Sequence, residues 1–98
     1  MKPCKRIEIV IEEPMAPTLV RLLDSLHTSG YIILPNAAGD GDRGIRRADE
    51  LAGDSSNTVF IIACDDDELL HNIVEGVRPL LSRSGGICLV SDAMFLKH

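Results

Sequence analysis

A glycine-rich segment between residues 39 and 47 carries the residue types best suited to binding an anion. It contains three glycines and three arginines: Gly39, Gly41, Gly44, Arg43, Arg46 and Arg47. Glycines let backbone N–H groups approach a phosphate closely, and a guanidinium group matches the geometry of phosphate or carboxylate. Asp40 and Asp42 oppose this chemistry, because their charges repel an anion. The residues themselves favour equally an anion site and a flexible loop solvated by mixed charges.

The same segment contains G-x-G-x-x-G, but the motifs of familiar nucleotide and calcium sites do not fit it. A chain of 98 residues cannot hold the doubly wound sheet of a dinucleotide-binding fold, and no long helix follows the segment. The Gly-Lys-Ser/Thr of a Walker loop is absent. Asp40 and Asp42 begin like a calcium loop, but Leu51 occupies the position of its bidentate glutamate.

Candidate catalytic and metal-binding residues have simpler structural explanations. Asp65 and Glu68 have the spacing of a capping box, in which acidic residues stabilise the start of a helix. His27 and His71 have no ligand partner at a recognisable spacing. The three cysteines are Cys4, Cys64 and Cys88. They form no C-x-x-C pair, and two of them lie in apolar, strand-like runs typical of buried residues. We therefore expect no catalytic residue, no metal site and no enzymatic activity.

Hydrophobic periodicity divides the chain into four strands and two helices. The strands are predicted over residues 5–12, 31–34, 58–64 and 87–90, with a short fifth edge strand over 94–96. The first helix starts near Pro14, since proline is favoured in a first turn, and stops at Gly30. The second starts at Asp65 and ends at Gly85-Gly86, and Pro79 is expected to kink or thin it.

This order, β-α-β-β-α-β, predicts a single α+β domain of ferredoxin-like topology that spans residues 1–98. Its two right-handed crossovers place the first and third strands at the centre of the sheet. Residues 36–57 are polar and glycine-rich, and they form the connection between the second and third strands. Hairpin connections normally have about two to five residues, so a loop of this length is expected to be functional or disordered.

The predicted sheet is apolar on both faces, although two helices can cover only one. In the first strand Val10 lies opposite Ile9. In the third, Val59 and Ile61 lie opposite Phe60. Leaving the second face in water would expose more apolar area than a monomer tolerates. We therefore expect a homo-oligomer, and threefold packing would close three such faces into one core.

Composition excludes several classes of protein. The net charge of −5, with one Tyr, two Phe and no Trp, is unlike the basic, aromatic surface of an RNA-binding sheet, so we expect no nucleic-acid partner. No apolar run reaches the roughly 20 residues of a membrane span. The basic N-terminal residues are not followed by the apolar stretch of a signal peptide, which predicts a cytoplasmic protein without membrane insertion.

Three segments resemble the PII-like signalling family. Gly30-Tyr31 and Ala38-Gly-Asp-Gly-Asp-Arg-Gly-Ile-Arg46 are similar to the Gly-Tyr and Ser-Gly-x-Gly-Ser-Arg-x-Val-Arg of its carboxysome-associated branch, which is tied to inorganic-carbon uptake. Gly86-Ile-Cys-Leu-Val-Ser-Asp-Ala-Met-Phe-Leu96 resembles the final Ala-Gly-Ile strand of these proteins and its continuation. The resemblance covers residues 5–96 and implies a homotrimer in which the 36–57 loop is the family's T-loop.

The resemblance also implies that adenine nucleotides bind in clefts between subunits. The motif positions that would contact the nucleotide are Gly39, Gly41, Arg43, Arg46, Gly85 and Gly86. The first two would lie against the nucleotide, the arginines would reach its phosphates, and the last two match the short B-loop. Bicarbonate is implied as a co-effector. The T-loop would then dock on a partner such as a bicarbonate transporter or another carboxysome-related protein.

Differences from the family reduce the range of nucleotides that we expect to bind. The 36–57 loop has no tyrosine, which excludes the tyrosyl modification of nitrogen-signalling PII proteins. Their lysine-rich B-loop and C-terminal arginine pair are absent, since only Arg83 and Lys97 lie in those regions. With fewer cations for a triphosphate, ADP or AMP is favoured over ATP, and no cofactor is implied.

Other ferredoxin-like proteins provide the alternatives. An acylphosphatase needs a glycine-rich phosphate cradle with an arginine after the first strand, where this chain has Ile11-Glu-Glu-Pro14. A metallochaperone needs C-x-x-C at the same place, and this chain lacks it. A regulatory domain that binds an amino acid or another small molecule is the main alternative to the nucleotide sensor.

Overall fold

The structure of the chain, a computed structural model, describes residues 1–28, 30–38, 40–41, 44–45 and 56–96. Strands and helices alternate along these ranges. The elements are β1 (Lys2–Glu12), a 3₁₀ helix (Glu13–Met15), α1 (Ala16–Ser25), β2 (Tyr31–Ala37), β3 (Asp40–Gly41), β4 (Gly44–Ile45), β5 (Asn57–Cys64), α2 (Asp67–Ser84) and β6 (Ile87–Phe95).

Four strands form one antiparallel sheet in the order β2-β5-β1-β6. β1 and β5, the first and third long strands of the chain, are therefore central, as the ferredoxin-like prediction requires. β1 pairs on both sides, with β5 from Lys5 to Glu12 and with β6 from Lys2 to Val10. The predicted α+β class and strand order are confirmed.

One face of the sheet packs against both helices and forms the hydrophobic core. Ile7, Ile9 and Ile11 of β1 are fully buried, which confirms the period-two alternation predicted for this strand. Phe60 and Ile62 of β5 lie opposite Ile9 and Ile7. The helices contribute Leu19, Leu23, Ile73, Val77 and Leu80 to the same cluster. Among the described residues, neither helix is long and apolar enough to cross a membrane.

The cap of α2 lies one residue later than the sequence predicted. Asp66 is the N-cap, and its carboxylate accepts hydrogen bonds from the N–H groups of Glu68 at 2.9 Å and Leu69 at 3.2 Å. Asp65 pairs instead with Lys2 of β1 at 2.8 Å. The prediction of an Asp65 cap was wrong because adjacent acidic residues are equivalent in sequence. The position at which β5 ends determines which of these acidic residues is the N-cap.

α2 continues through Pro79 and ends at Ser84, next to the predicted stop at Gly85-Gly86. The last strand is longer than the sequence predicted. β6 runs without interruption from Ile87 to Phe95, so the segment predicted as a separate edge strand over 94–96 is the end of β6. The polar Ser91 and Asp92 suggested a break, but both pair with β1 in the continuous ladder.

The loop between the second and third long strands is shorter at both ends than the predicted 36–57. β2 extends to Ala37, and β5 begins at Asn57. The register of these strands is irregular between Leu34 and Ala37, and Asn36 has a φ of 61° at this point. Asparagine tolerates this left-handed conformation better than most residues. Within the loop, β3 and β4 pair with each other.

The face of the sheet opposite the helices is apolar and uncovered in the single chain. Two rows of side chains cross it, and we call these eight residues the open face: Leu34, Val59, Val10 and Ile87, then Ile32, Ile61, Glu8 and Leu89. Its four members on the outer strands are 45–59% exposed. Such a contiguous apolar surface on a small chain indicates an interaction site.

We expect Asp66→Ala to lower the thermal unfolding midpoint, because it removes the acceptor of two N–H groups at the start of α2. Loss of an N-cap costs about 1 kcal/mol. The matched control is Asp65→Ala, which leaves both of those hydrogen bonds in place. Thermal unfolding at one fixed protein concentration compares the two variants. A larger loss for Asp65→Ala would contradict the observed cap.

Candidate functional site

The chain enters and leaves its long loop at one end of the sheet. β1 and β2 end there at Glu12 and Ala37, and β5 and β6 begin there at Asn57 and Ile87. The ladders fix this arrangement, since Glu12 and Ala37 both lie opposite Asn57, and Ile87 lies opposite Val10. We call this the loop end of the sheet. Both the long loop and the Gly85–Gly86 turn start from it.

The Gly85–Gly86 turn connects α2 to β6 at the loop end. Gly85 ends the helix with a φ of 77°, and its N–H donates to the carbonyl of Leu81 at 2.8 Å. Gly86 has a φ of 123°, and a Cβ added there would lie 2.3 Å from the carbonyl oxygen of Val10. Only glycine combines this conformation with so close an approach. The backbone of the turn is thus held directly against β1.

What this turn can do chemically follows from its lack of side chains. Gly86 is exposed, although its backbone contacts β1. Backbone N–H groups without a neighbouring Cβ can approach a phosphate closely. The hydroxyl of Ser84 lies within hydrogen-bond distance of two carbonyl oxygens, that of Leu80 at 3.0 Å and that of Gly85 at 3.1 Å, so it is engaged by the backbone. The turn therefore offers a fixed backbone surface rather than side-chain charge.

The structure describes three of the six residues assigned to nucleotide binding from the sequence. Gly85 and Gly86 form the turn at the loop end. Gly41 lies in β3, opposite Gly44 of β4, in a two-stranded hairpin. Gly39, Arg43 and Arg46 lie outside the described residues. The nucleotide contacts of all six stay a prediction.

Within one chain, the glycine-rich segment and the Gly85–Gly86 turn are attached to opposite edges of the sheet. β2, which leads into the segment, is the outer strand on one side, and β6, which follows the turn, is outer on the other. Three strand spacings, about 14 Å, separate these two strands. A ligand that contacts both features therefore needs the loop to reach across the end of the sheet, or a second chain to complete the site.

Two features of the loop end were missed by sequence reasoning. The carbonyl of Val10 supports the turn, and Asn36 bends the chain near the end of β2. Val10 has the pattern of an ordinary strand residue, because its contact with Gly86 depends on the register of β1 and β6. Asn36 carried a detectable signal, since asparagine after proline is common where a turn needs a positive φ.

Two ion pairs lie at the opposite end of the sheet. Lys2 pairs with Asp65 at 2.8 Å, and Lys5 pairs with Asp92 of β6. The hydrogen bond to Asp65 raises the pKa of Lys2, and the one to Asp92 raises the pKa of Lys5. The same bond lowers the pKa of Asp92. These two lysines are engaged by carboxylates far from the turn, so they contribute no cation to the loop end.

A groove of about 240 Å³ lies between α2 and β6, next to the turn. Its lining is mainly apolar: Val74, Val77, Arg78, Leu81, Cys88 and Val90. Burial raises the pKa of the Cys88 thiol, which keeps it protonated and poorly nucleophilic. No three His, Cys, Asp or Glu side chains converge on a metal position in the part of the chain that the structure describes.

Comparison with known families and structures gives one family. The family model for nitrogen regulatory protein P-II matches residues 4–98. A comparison with curated protein sequences finds no match.

Solved structures resemble the chain over nearly its full length. CPII, a nitrogen regulatory PII-like protein from Thiomonas intermedia K12 bound to ADP, AMP and bicarbonate, is 26% identical, with 98% of this chain and 96% of CPII covered and a TM-score of 0.81. A PII-like signalling protein from Thermus thermophilus is 25% identical, with coverages of 97% and 91% and a TM-score of 0.75. The GlnK–ATP complex of B. subtilis is 13% identical, with coverages of 93% and 83% and a TM-score of 0.63, and supports the fold alone.

We expect Gly86→Ala to destabilise the fold, because the added methyl group would collide with the carbonyl of Val10. The cost should exceed about 1 kcal/mol, since both the conformation and the space are incompatible with alanine. The control is Gly30→Ala, which has a φ of 70° but no atom within 4 Å of the new Cβ. It tests the conformational strain without the collision. Equal thermal midpoints for the two variants would contradict the close approach of the turn to β1.

Proposed function

Because the chain belongs to the P-II family of nitrogen regulatory proteins, as its motifs indicated, we propose that it is a regulatory sensor of adenine nucleotides. It binds ADP or AMP at the loop end of the sheet, in clefts between the three subunits of a homotrimer. Binding changes the conformation of the T-loop between β2 and β5, which docks on a protein partner. The nucleotide acts as a ligand in this scheme and is not consumed.

The observation that carries this proposal is the Gly85–Gly86 turn held against β1. It offers exposed backbone at the end of the sheet from which the T-loop also departs. A phosphate bound by the turn is therefore close to the base of the loop, so that ligand and loop conformation can be coupled. In support, CPII, which has the same fold over 98% of this chain, binds ADP and AMP.

Charge favours the smaller nucleotides. Asp40 and Asp42 accompany the arginines of the glycine-rich segment, and Lys2 and Lys5 are engaged at the far end of the sheet. A triphosphate needs more cations than this arrangement supplies. Bicarbonate is proposed as a co-effector, because CPII also binds it together with ADP. A transporter or enzyme of inorganic-carbon metabolism, such as a bicarbonate transporter or a carboxysome-related protein, is the proposed partner.

The open face supports the homotrimer. Its two rows extend across four strands, about 14 Å from β2 to β6, and its outer residues are half exposed. Covering it with further copies of the chain removes this apolar surface from water. The same association also brings the loop end of one copy near a neighbour, which would complete the site whose two halves start about 14 Å apart in one chain.

Isothermal titration calorimetry against ATP, ADP, AMP and cyclic AMP, each with and without bicarbonate, tests the ligand. We expect one ADP or AMP per chain, weaker binding of ATP, and a change in nucleotide affinity when bicarbonate is present. If no adenine nucleotide binds at millimolar concentration, the proposal that this protein senses adenine nucleotides is wrong. Screening amino acids by the same method would then test the alternative of a regulatory domain for another small molecule.

Arg46→Ala should weaken ADP binding roughly ten- to a hundredfold, because a charge-assisted hydrogen bond contributes about 1.5–3 kcal/mol. Arg46→Lys should recover part of the affinity, since an ammonium group lacks the paired donors of a guanidinium. Arg47→Ala is the matched control, because the family motif assigns Arg47 no phosphate contact. Calorimetry on the three variants measures the effects. A greater loss for Arg47→Ala than for Arg46→Ala would refute the assignment.

A further inference from the structure

A charged pair lies within the surface that the proposed trimer would bury. Arg6 and Glu8 of β1 form an ion pair, in which Nε of Arg6 lies 2.8 Å from Oε1 of Glu8. Glu8 lies between Ile61 and Leu89, in the second row of the open face. The side chain of Arg6 is 50% exposed and that of Glu8 is 33% exposed. In a single chain, water can therefore still reach both groups.

Small residues flank Arg6. Its register neighbours are Ala63 of β5 and Ser91 of β6. Cys4 and Ala93 form the next row. The neighbours of Arg6 in the ladder are therefore short side chains. In contrast, Glu8 is bordered by bulky apolar groups.

When another molecule covers this ion pair, its charged groups need further hydrogen-bond partners. A buried ion pair is tolerated only when its remaining hydrogen-bonding groups also find partners. A guanidinium has five N–H donors, and the ion pair with Glu8 lies on its Nε side. A molecule that covers the open face must therefore supply an acceptor to the Nη groups. A second copy of the chain brings a carboxylate of the required charge, its own Glu8.

We propose that Arg6 and Glu8 are shared between copies of the chain and determine the specificity of the subunit interface. Arg6 keeps its ion pair with Glu8 of the same copy on the Nε side, and its Nη groups bind Glu8 of the neighbouring copy. The charges then alternate around a closed assembly, because every copy supplies one of each sign. This inference rests on the proposed trimer and adds the residues that select one copy as the partner of another.

Such an arrangement would discriminate against other apolar surfaces. A partner without a matching carboxylate would leave the guanidinium buried and incompletely paired, which opposes binding. The pair therefore limits association to a chain that presents both charges at the same place.

Mixing two complementary variants tests whether the pair is shared. Arg6→Met leaves Glu8 as an unpaired charge, and Glu8→Met leaves Arg6 unpaired. Each variant alone should associate at least about 30-fold more weakly than the parent chain, as expected when one partner of a covered charge pair is removed. An equimolar mixture should recover part of the association as hetero-oligomers, because Arg6 of one chain can bind Glu8 of the other. A mixed trimer contains one such contact and one unpaired charge, whereas a trimer of either variant alone contains three unpaired charges. Sedimentation equilibrium and native mass spectrometry measure both.

Two controls use the same chain. The double variant Arg6→Met/Glu8→Met should associate at least as tightly as the parent, because apolar replacement of both partners restores a uniform surface. Lys5→Met removes the ion pair between Lys5 and Asp92. Lys5 is adjacent to Arg6 in β1 and therefore lies on the opposite face of the sheet. This substitution should leave association unchanged. A monomeric double variant, or loss of association in Lys5→Met, would contradict the proposal.

The remaining outcomes are also decisive. If the single variants associate as the parent does, or if mixing them restores nothing, the pair is not shared and the proposal is wrong. If either methionine variant fails to fold, Arg6→Gln and Glu8→Gln give the same comparison with polar side chains of similar length. A parent chain that is monomeric at high micromolar concentration would overturn the trimer itself. Calorimetry still tests nucleotide binding independently of these results.

Discussion

The alternation of side chains along β1 is the constraint on which both surfaces of the molecule depend. Ile7, Ile9 and Ile11 fill the core beneath the helices, whereas Glu8 and Val10 face the other way. β1 is also hydrogen bonded on both sides, so its register is fixed by two neighbours at once. A shift of one residue would exchange the two faces and bury a carboxylate in the core. The register of β1 therefore determines both which residues pack against the helices and which residues form the open face.

The same strand also supports the candidate site. The carbonyl of Val10 sets the distance at which the Gly85–Gly86 turn lies, and the side chain of Val10 belongs to the open face. In the proposed trimer, a change in the subunit interface at Val10 would therefore be transmitted to the turn through one peptide unit. In the proposed sensor, the backbone of β1 therefore contributes both to the subunit interface and to the nucleotide site.

The order of elements and the core of β1 and β5 could be predicted, because hydrophobic periodicity is local. The cap at Asp66, the positive φ of Asn36 and the full length of β6 could not, since each depends on where strands pair or end. For the site, physical reasoning alone left the glycine-rich segment undecided between an anion site and a solvated loop. Resemblance to family motifs named Gly85 and Gly86, and the structure then supplied the reason glycine is required at Gly86.

The register of β2 and β5 is irregular between Leu34 and Ala37, and this makes the pairing of the two strands independent of the length of the loop. Ala37 lies opposite Asn57 after the irregularity, so the stem is closed before the loop begins. Residues inserted or deleted beyond Ala38 do not slide β2 along β5, and doubling a flexible loop costs only about 0.6 kcal/mol in closure entropy. In the proposed sensor, the sequence of the loop can therefore change to suit a different partner while the pairing of the sheet stays the same.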